Sequence, residues 1–363
     1  MHTPFCPSKC GYCDFNSYAM QGPIVERTVG AIRREIEQSP WRGIPAKSIF
    51  FGGGTPTFLT EAQLLSIFEA MKEVHPPIDG AEITSEANPG TVDAEKFAAM
   101  RTAGFNRISM GAQSFLDEDL IRLDRIHKAG DIERALTAAR SAGFDNVNID
   151  LMFALPGQSV AAWKRNLDRA FALETDHLSL YCLTLEPNTA FYKKHLRGEL
   201  VLPEDELQVE MYDMCCERAG QEGFEQYEIS NFARPGRECR HNLAYWAGEH
   251  YAGYGPGAVG FMPAPEGGQS VGNRYTNLKH PERYSAAVEE GLPTYFESES
   301  ITPEIHRTER IMLGLRLNKG VEIPDVKPMD RLESRGWIER DGDWVTLTKA
   351  GRHFCSEVAL ELI

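Results

Sequence analysis

The sequence predicts an α/β fold: a partial (β/α)6 TIM-like barrel followed by a C-terminal α+β module of winged-helix type. Three observations carry this. Short apolar runs alternate with helical patterns from residue 47 to about 185. Twice a helix pattern ends in Ala-Gly-Phe, at Ala103-Gly104-Phe105 and Ala142-Gly143-Phe144, just before the next strand. From about Thr302 the pattern changes to helices followed by a hairpin. A repeated strand–helix order implies parallel strands joined by right-handed crossovers.

Ser48-Ile49-Phe50-Phe51 reads as a buried strand that stops at Gly52-Gly53-Gly54. Thr60-Glu61-Ala62-Gln63 then supplies a capping box, in which the Thr and Gln side chains satisfy orphan N–H groups reciprocally. Further strands fit Glu82-Ile83-Thr84-Ser85-Glu86, Arg107-Ile108-Ser109-Met110, Val147-Asn148-Ile149-Asp150-Leu151 and 177–183, with a helix over about 92–103. The glycines of the two Ala-Gly-Phe segments suit the left-handed position just past a helix end. Five strands follow the first cysteines, so a sixth has to precede them. Tyr227-Glu228-Ile229-Ser230-Asn231-Phe232 reads as one more strand or an extension of the barrel. Adjacent Cys215 and Cys216 in a helical pattern point about 100° apart, which suits core packing rather than a shared metal. Gly253-Tyr254-Gly255-Pro256-Gly257-Ala258 reads either as a flexible loop that closes over a ligand or as a tight turn. In the last region, helices over 310–317 and 329–335 precede hairpin strands 337–340 and 344–348, turned at Asp341-Gly342, and a final helix begins near Lys349. The expected division is a barrel over 1–200, an extension over 201–300 and a terminal module over 301–363.

Composition narrows the function. The 363 residues carry 38 Lys and Arg against 53 Asp and Glu, a formal net charge of -15. That balance disfavours a nucleic-acid surface, which needs clustered positive charge. A winged-helix module by itself suggests a DNA-binding regulator, but no basic recognition helix accompanies it. No apolar run reaches the ~18 residues of a membrane span, and no signal-peptide pattern is present. The expectation is a cytoplasmic protein with no transmembrane segment and no nucleic-acid partner. Its eight cysteines then read as thiols or metal ligands rather than a disulfide framework.

Three of these cysteines, Cys6, Cys10 and Cys13, form C-x3-C-x2-C. A structural zinc site takes four protein ligands, often as two separated pairs, and a redox C-x-x-C needs only two thiols. Three close thiolates would leave the fourth iron of a [4Fe-4S] cluster open to a small molecule. On the residues alone, zinc and incidental cysteines stay open. Polar residues also collect at the expected strand ends: Gly52-Gly53-Gly54-Thr55, Glu86, Gln113-Ser114, Asp150 and Thr184. In barrels of this kind the chemistry lies at those C-terminal ends, so they point to one shared site.

The cysteine motif, with an aromatic before its third cysteine, resembles the signature of radical S-adenosylmethionine (SAM) proteins. HTPFCPSKCGYCDF, FFGGGTPT, SMGAQSF, LDRIH and NIDLMFALPGQ together resemble the coproporphyrinogen dehydrogenase (HemN) group of that superfamily. YEISNFARPGRECRHNLAYW is similar to the HemW heme chaperones. The resemblance implies a radical SAM barrel in which Cys6, Cys10 and Cys13 hold a [4Fe-4S] cluster with Tyr12 beside it. SAM chelates the open iron, and an electron donor reduces the cluster. It places Gly53, Gly54 and Thr55 beside the methionine moiety of SAM, where glycine backbone N–H groups can approach a carboxylate. It makes Glu86 a SAM-contacting carboxylate and puts Gln113, Arg125, Asp150 and Thr184 around the same cavity. A surface ion pair of Arg125 with Asp124 or Glu133 is the plainer alternative.

For the second half, the resemblance associates heme with His241, Asn242, Tyr245 and Trp246, His241 being the better axial candidate and Cys239 the weaker. The alternative is a structural histidine. Arg240 and Arg234 are the expected propionate partners. Two departures are visible. The family carries a Tyr shortly before His-x-Pro-Phe-Cys, which this chain lacks; the expectation is a true start upstream of Met1. The dehydrogenases carry one more cysteine, and here Phe15 occupies its position. The implied function is a heme chaperone that binds heme and passes it to an acceptor protein; the radical SAM machinery leaves enzyme activity open, while Phe15 in place of the dehydrogenase cysteine speaks against it. The alternative is a radical SAM enzyme acting on a porphyrinogen, an oxygen-independent coproporphyrinogen III dehydrogenase.

Overall fold

Six parallel strands follow one another in spatial as well as sequence order, β1 (His2–Thr3), β2 (Ala46–Gly53), β3 (Pro77–Ala87), β4 (Arg107–Gln113), β5 (Val147–Phe153) and β6 (His177–Cys182). The computed structural model describes residues 1–264, 267–324 and 328–363. The helices α1 (Pro23–Glu37), α2 (Glu61–Val74), α3 (Ala94–Ala103), α4 (Asp117–Arg122), α5 (Ala129–Ser141) and α6 (Val160–Ala172) occupy the crossovers. The partial barrel read from the sequence is therefore present, including the strand that precedes the cysteines. That strand pairs parallel with β2, His2 opposite Gly52 and Thr3 opposite Gly53.

Local signals account for the element ends. Thr60 accepts from the Gln63 N–H and the Gln63 side chain returns to the Thr60 N–H, as the capping box requires. Gly104 ends α3 at φ 118°, and Gly143 after α5 has φ 92°; only glycine adopts these angles without strain. One large apolar core, with Phe51, Phe68, Phe105 and Trp163 among its buried rings, lies between the sheet and its helices.

Beyond β6 come α7 (Ala190–Leu196) and α8 (Asp205–Gln221), which buries Cys215 in that core. The segment expected as one strand over 227–232 is instead a turn between two short strands, β7 (Glu225–Gln226) and β8 (Asn231–Ala233). The buried Glu228 carboxylate accepts from the Ser230 N–H and the Asn231 amide, which folds the chain back on itself. β8 runs antiparallel to β6 and ends the sheet with β7.

The two-turn helix α9 (Arg240–Trp246) follows, then an antiparallel sheet of β9 (Val259–Pro263), β10 (Gly272–Asn277) and β11 (Tyr295–Ile301), with α10 (Pro281–Glu290) packed on α1. The last stretch has α11 (Pro303–Gly314), β12 (Val321–Glu322), α12 (Met329–Ser334), β13 (Ile338–Asp341), β14 (Trp344–Leu347), α13 (Lys349–Arg352) and α14 (Cys355–Leu362) around its own core of Leu315, Val321, Ile338, Val345 and Val358. The helix expected over 310–317 starts seven residues earlier, because Thr302 caps it by accepting from the Ile305 N–H and Pro303 pre-sets its first turn.

The glycine segment 253–258 is a packed turn, not a mobile loop. The His2 N–H donates to the Tyr254 carbonyl at 2.8 Å, and the Gly255 N–H donates to the buried Glu35 carboxylate at 2.8 Å. Gly255 has φ 98°, and a Cβ there would meet the His2 carbonyl oxygen at 2.3 Å. Gly198 has φ 71° with open space around it. Gly198→Ala should therefore cost only the left-handed penalty of about 1–2 kcal/mol. Gly255→Ala should lower the melting temperature further, by several degrees, since about 1 kcal/mol moves Tm by roughly 2–4 °C in larger domains. Equal melting temperatures would show that the turn yields freely.

A candidate cofactor site inside the barrel

Chain reversal just after β1 throws the three cysteines over the mouth of the barrel. The Cys6 N–H donates to Tyr18, Cys13 to the Cys10 carbonyl at 3.2 Å, and the Gly11 carbonyl accepts from the Phe191 N–H at 2.9 Å. All three cysteines line one cavity of about 530 Å³. Among the described residues no three His, Cys, Asp or Glu side chains converge closely enough for a single metal ion. The three thiols border one volume, and a set of thiolate donors is the kind that an iron–sulfur cluster takes.

Donors face two of these sulfurs. The Thr55 hydroxyl donates to Cys6 Sγ at 3.4 Å, and Arg125 Nη1 donates to Cys10 Sγ at 3.8 Å. The Lys9 ammonium, bound to the Phe15 carbonyl and to Ser17, adds a nearby positive charge for Cys13 and Cys6. Burial pushes the Cys6 and Cys13 thiols up, so ligation of a cation must displace their protons. Arg125 is buried, with Nη2 donating to the Gly111 carbonyl at 2.6 Å, and its Nε has no acceptor among the described residues. The surface ion pair with Asp124 or Glu133 is overturned: Glu133 pairs with Arg169 instead. The Tyr12 ring lies edge-on to Phe191 and also borders the cavity.

The glycine-rich segment works differently from expectation. The Gly53 N–H donates to Glu86 Oε2 at 3.1 Å, Gly54 to the Thr3 carbonyl at 2.7 Å and Thr55 to the Phe5 carbonyl at 2.8 Å. All three N–H groups are committed within the chain and none is left free for a ligand carboxylate. A Cβ on Gly54 would stand 2.6 Å from the Phe5 carbonyl oxygen. Glycine is needed here so that the cysteine-bearing backbone can lie directly on β2.

Gly53, Gly54, Thr55, Glu86, Gln113, Arg125, Asp150 and Thr184 all border the same cavity. Gln113 has φ 67° at a register shift between β4 and β5, where the bulge turns its side chain. The Thr184 hydroxyl donates to Glu186. Asp150 accepts from Asn148 Nδ2 at 2.7 Å, and burial pushes its carboxyl up. Burial, and then the neighbouring Asp150 carboxylate, raise Glu86 to about 8. Ser114 turns away and bonds Asp119 and Asn166 in the core.

The cavity reaches further than the strand-end pattern suggested, down to Arg107, Asn148, Ser179, Cys239 and Asn242. Arg107 is only 2% exposed, within electrostatic reach of Glu82 and Asp150. A charged residue at the head of an otherwise apolar strand was the available signal for it.

Helix α9 lies across that deep end. The Glu82 carboxylate on β3 accepts the N–H groups of Arg240 at 3.1 Å and His241 at 3.2 Å, and the Cys239 thiol donates to it. His241 stacks on Phe50 with ring centres 4.6 Å apart, and its Nδ1 lies 3.4 Å from the Ser48 hydroxyl. Burial drives its pKa down to about 3, so the ring is neutral. Asn242, Tyr245 and Trp246 border a second cavity of about 730 Å³, which His241 does not line. Neither arginine expected to hold propionates reaches it. Arg240 Nη1 donates to the Gly80 carbonyl, and Arg234 lies over the Phe224 ring.

Comparison with known proteins agrees with this architecture. The profile of the Radical SAM superfamily matches residues 1–170. "Heme chaperone HemW" of Bacillus subtilis (strain 168) is 39% identical, over 99% of this chain and 97% of that protein. "Heme chaperone HemW" of Mycobacterium tuberculosis (strain ATCC 25618 / H37Rv) is 34% identical, over 100% and 94%. "Heme chaperone HemW" of Escherichia coli (strain K12) is 38% identical, over 78% and 74%. Among solved structures, the coproporphyrinogen III oxidase (HemN) of Escherichia coli shares the fold with a TM-score of 0.81 at 23% identity, over 99% of this chain and 88% of that one.

The raised Glu86 pKa has a definite sign. With a folded value of about 8 and an ordinary value of 4.5, the folded state holds a proton that the unfolded state has released. Stability is therefore fully present below about pH 4.5 and is lost as pH rises through 8. The ligand-free Glu86→Gln variant should lose less of its melting temperature between pH 5 and 8 than the parent. Parallel pH profiles would show that Glu86 is ionised throughout.

Proposed function

Because the chain belongs to the HemW family of heme chaperones, which are built on the radical SAM scaffold, we propose that it binds heme and hands it to an acceptor protein, with a [4Fe-4S] cluster and SAM in the barrel cavity. The observation that carries this reading is the joining of two motif regions along one barrel interior. The C-x3-C-x2-C loop caps its mouth and the helix bearing the H-N-x-x-Y-W motif crosses its deep end. Cys6, Cys10 and Cys13 would hold the cluster, and one iron would remain for the amino and carboxylate groups of SAM. Such a cluster, when reduced by a donor protein, supplies single electrons.

The chain's own residues have separable tasks in this reading. Thr55 and Arg125 donate to the sulfurs of Cys6 and Cys10 and would tune the potential of a cluster held there. Glu86 accepts from ribose hydroxyls through a carboxyl oxygen. Asp150, Gln113 and Thr184 complete the polar wall, and Tyr12 shields the loop from water. Among the described residues no helix is long and apolar enough to cross a membrane, in keeping with a cytoplasmic site of action.

Phe15 sets this reading apart from porphyrinogen oxidation. It borders the cavity mouth, 61% exposed, in the position where the dehydrogenase pattern has a cysteine. A phenyl ring can neither ligate a metal nor move a proton. Anaerobically reconstituted protein should give a saturable Soret change with hemin and no protoporphyrinogen from coproporphyrinogen III. Product formation would return the function to the enzyme class. Replacing Cys6, Cys10 and Cys13 together by Ala should remove the iron–sulfur absorption; a full iron and sulfide content in that variant would refute the ligand assignment.

A further inference from the structure

Resting on the heme-binding reading, we infer that the porphyrin seats in the second cavity, with His306 of α11 as the axial imidazole and Arg310 and Arg316 as the partners of the propionates. The cavity holds about 730 Å³, within the ~300–1,000 Å³ range of cofactor pockets. It lies where α9, the β9–β10 sheet and α11 meet.

Its walls are flat and aromatic. Tyr245 and Trp246 come from α9, and Tyr251 and Phe261 from the segment that follows. Tyr245 meets Tyr251 edge-on at 4.5 Å, which leaves ring faces and edges as the lining of a slot. The Trp246 indole N–H is buried and has no acceptor among the described residues. A buried donor with nothing to bond costs about 1–3 kcal/mol, a cost that an occupant bearing an acceptor removes.

The charges fit a dianionic, iron-bearing ring. Arg274 is already taken by Glu299 and Glu309. Two further carboxyls line the cavity: Glu249 pairs with Lys47, and burial pushes Glu228 up with Arg316 in electrostatic reach. Arg310 has no ion pair among the described residues, and Arg316 rests over the Trp246 face at 5.4 Å, so Arg310 is the readier partner for an incoming carboxylate and Arg316 the second. His306 is the one histidine among the lining residues; its backbone N–H donates to the Thr302 carbonyl, while its ring lies 6.1 Å from the Phe261 ring and makes no hydrogen bond among the described residues. His306, Arg310 and Leu313 recur at i, i+4 and i+7, so a single stripe of α11 presents ligand, cation and apolar contact together. His241, by contrast, is stacked on Phe50 outside this cavity.

The test is a hemin titration of the full chain followed by visible and electron paramagnetic resonance spectra. His306→Ala should weaken binding at least tenfold and remove the imidazole-type Soret band and high-spin ferric signal of the parent, which added imidazole restores. His306→Tyr should fold and give a high-spin, phenolate-type spectrum. Arg310→Ala combined with Arg316→Ala should weaken binding severalfold and leave the spin state alone. An unchanged spectrum in both His306 variants overturns the assignment. So does loss of the imidazole-type signal in His241→Ala but not in His306→Ala. If the parent chain shows no saturable hemin binding, the heme reading itself falls, and this assignment with it.

Discussion

The Glu82 carboxylate collects two backbone N–H groups and a thiol from a segment 157 to 159 residues further along the chain. This buried group ties α9 to the parallel barrel. Leaving the two N–H groups without an acceptor would cost about 1–3 kcal/mol each. Leaving Arg107 buried without its acidic neighbours would cost roughly 3–5 kcal/mol more. The α9 helix is only two turns long and none of its residues is buried over its whole surface, so apolar packing alone could not hold it. Held by Glu82, it closes the deep end of one cavity and supplies a wall of the other.

The barrel interior is a second departure from the usual balance. Interiors of this type are normally filled by branched apolar residues. Here Asn148 donates to Ser109 and Asp150 at 2.7 Å each, and its carbonyl oxygen meets His177 and Ser179. Burial pushes the carboxyls of Asp150 and Glu86 up and the His177 imidazole down, while Arg107 and Arg125 bring cationic side chains to the same lumen. Open, polar space inside a barrel sacrifices packing, and it persists where function needs the room.

Much of this was legible beforehand. Strands and crossover helices were marked by apolar runs, a capping box and two helix-ending glycines, all local signals. The first cavity was legible because right-handed crossovers place every strand end on the same rim, so Gly53, Glu86, Gln113 and Thr184 had to meet. What escaped depended on long-range docking. Periodicity cannot show that Gly54 lies against the Phe5 carbonyl, that Arg125 turns inward to Gly111, or that Thr302 rather than a later residue starts α11. The motif helix was found, but a two-turn helix shows several faces. Which side chains it turned toward which cavity depended on Phe50 and on a helix some 60 residues later.

The slight pairing of β1 has a kinetic meaning. Two residues bridge it to β2, helped by bonds from Met1 to Phe50 and from Gly54 to Thr3, and its outer supports come from Tyr254, Pro256 and Lys279, the last two bonded to Asn16 across 240 and 263 positions. Contacts so distant in sequence close late, because the chain must first surrender the entropy of the intervening loop. During synthesis the cysteine-bearing stretch would emerge long before the residues that pin it. It would wait as an unanchored arm while the inner strands condense. Maturation of this protein would therefore proceed from the sheet outward, and the thiols would take their final places only once the far glycine turn had docked.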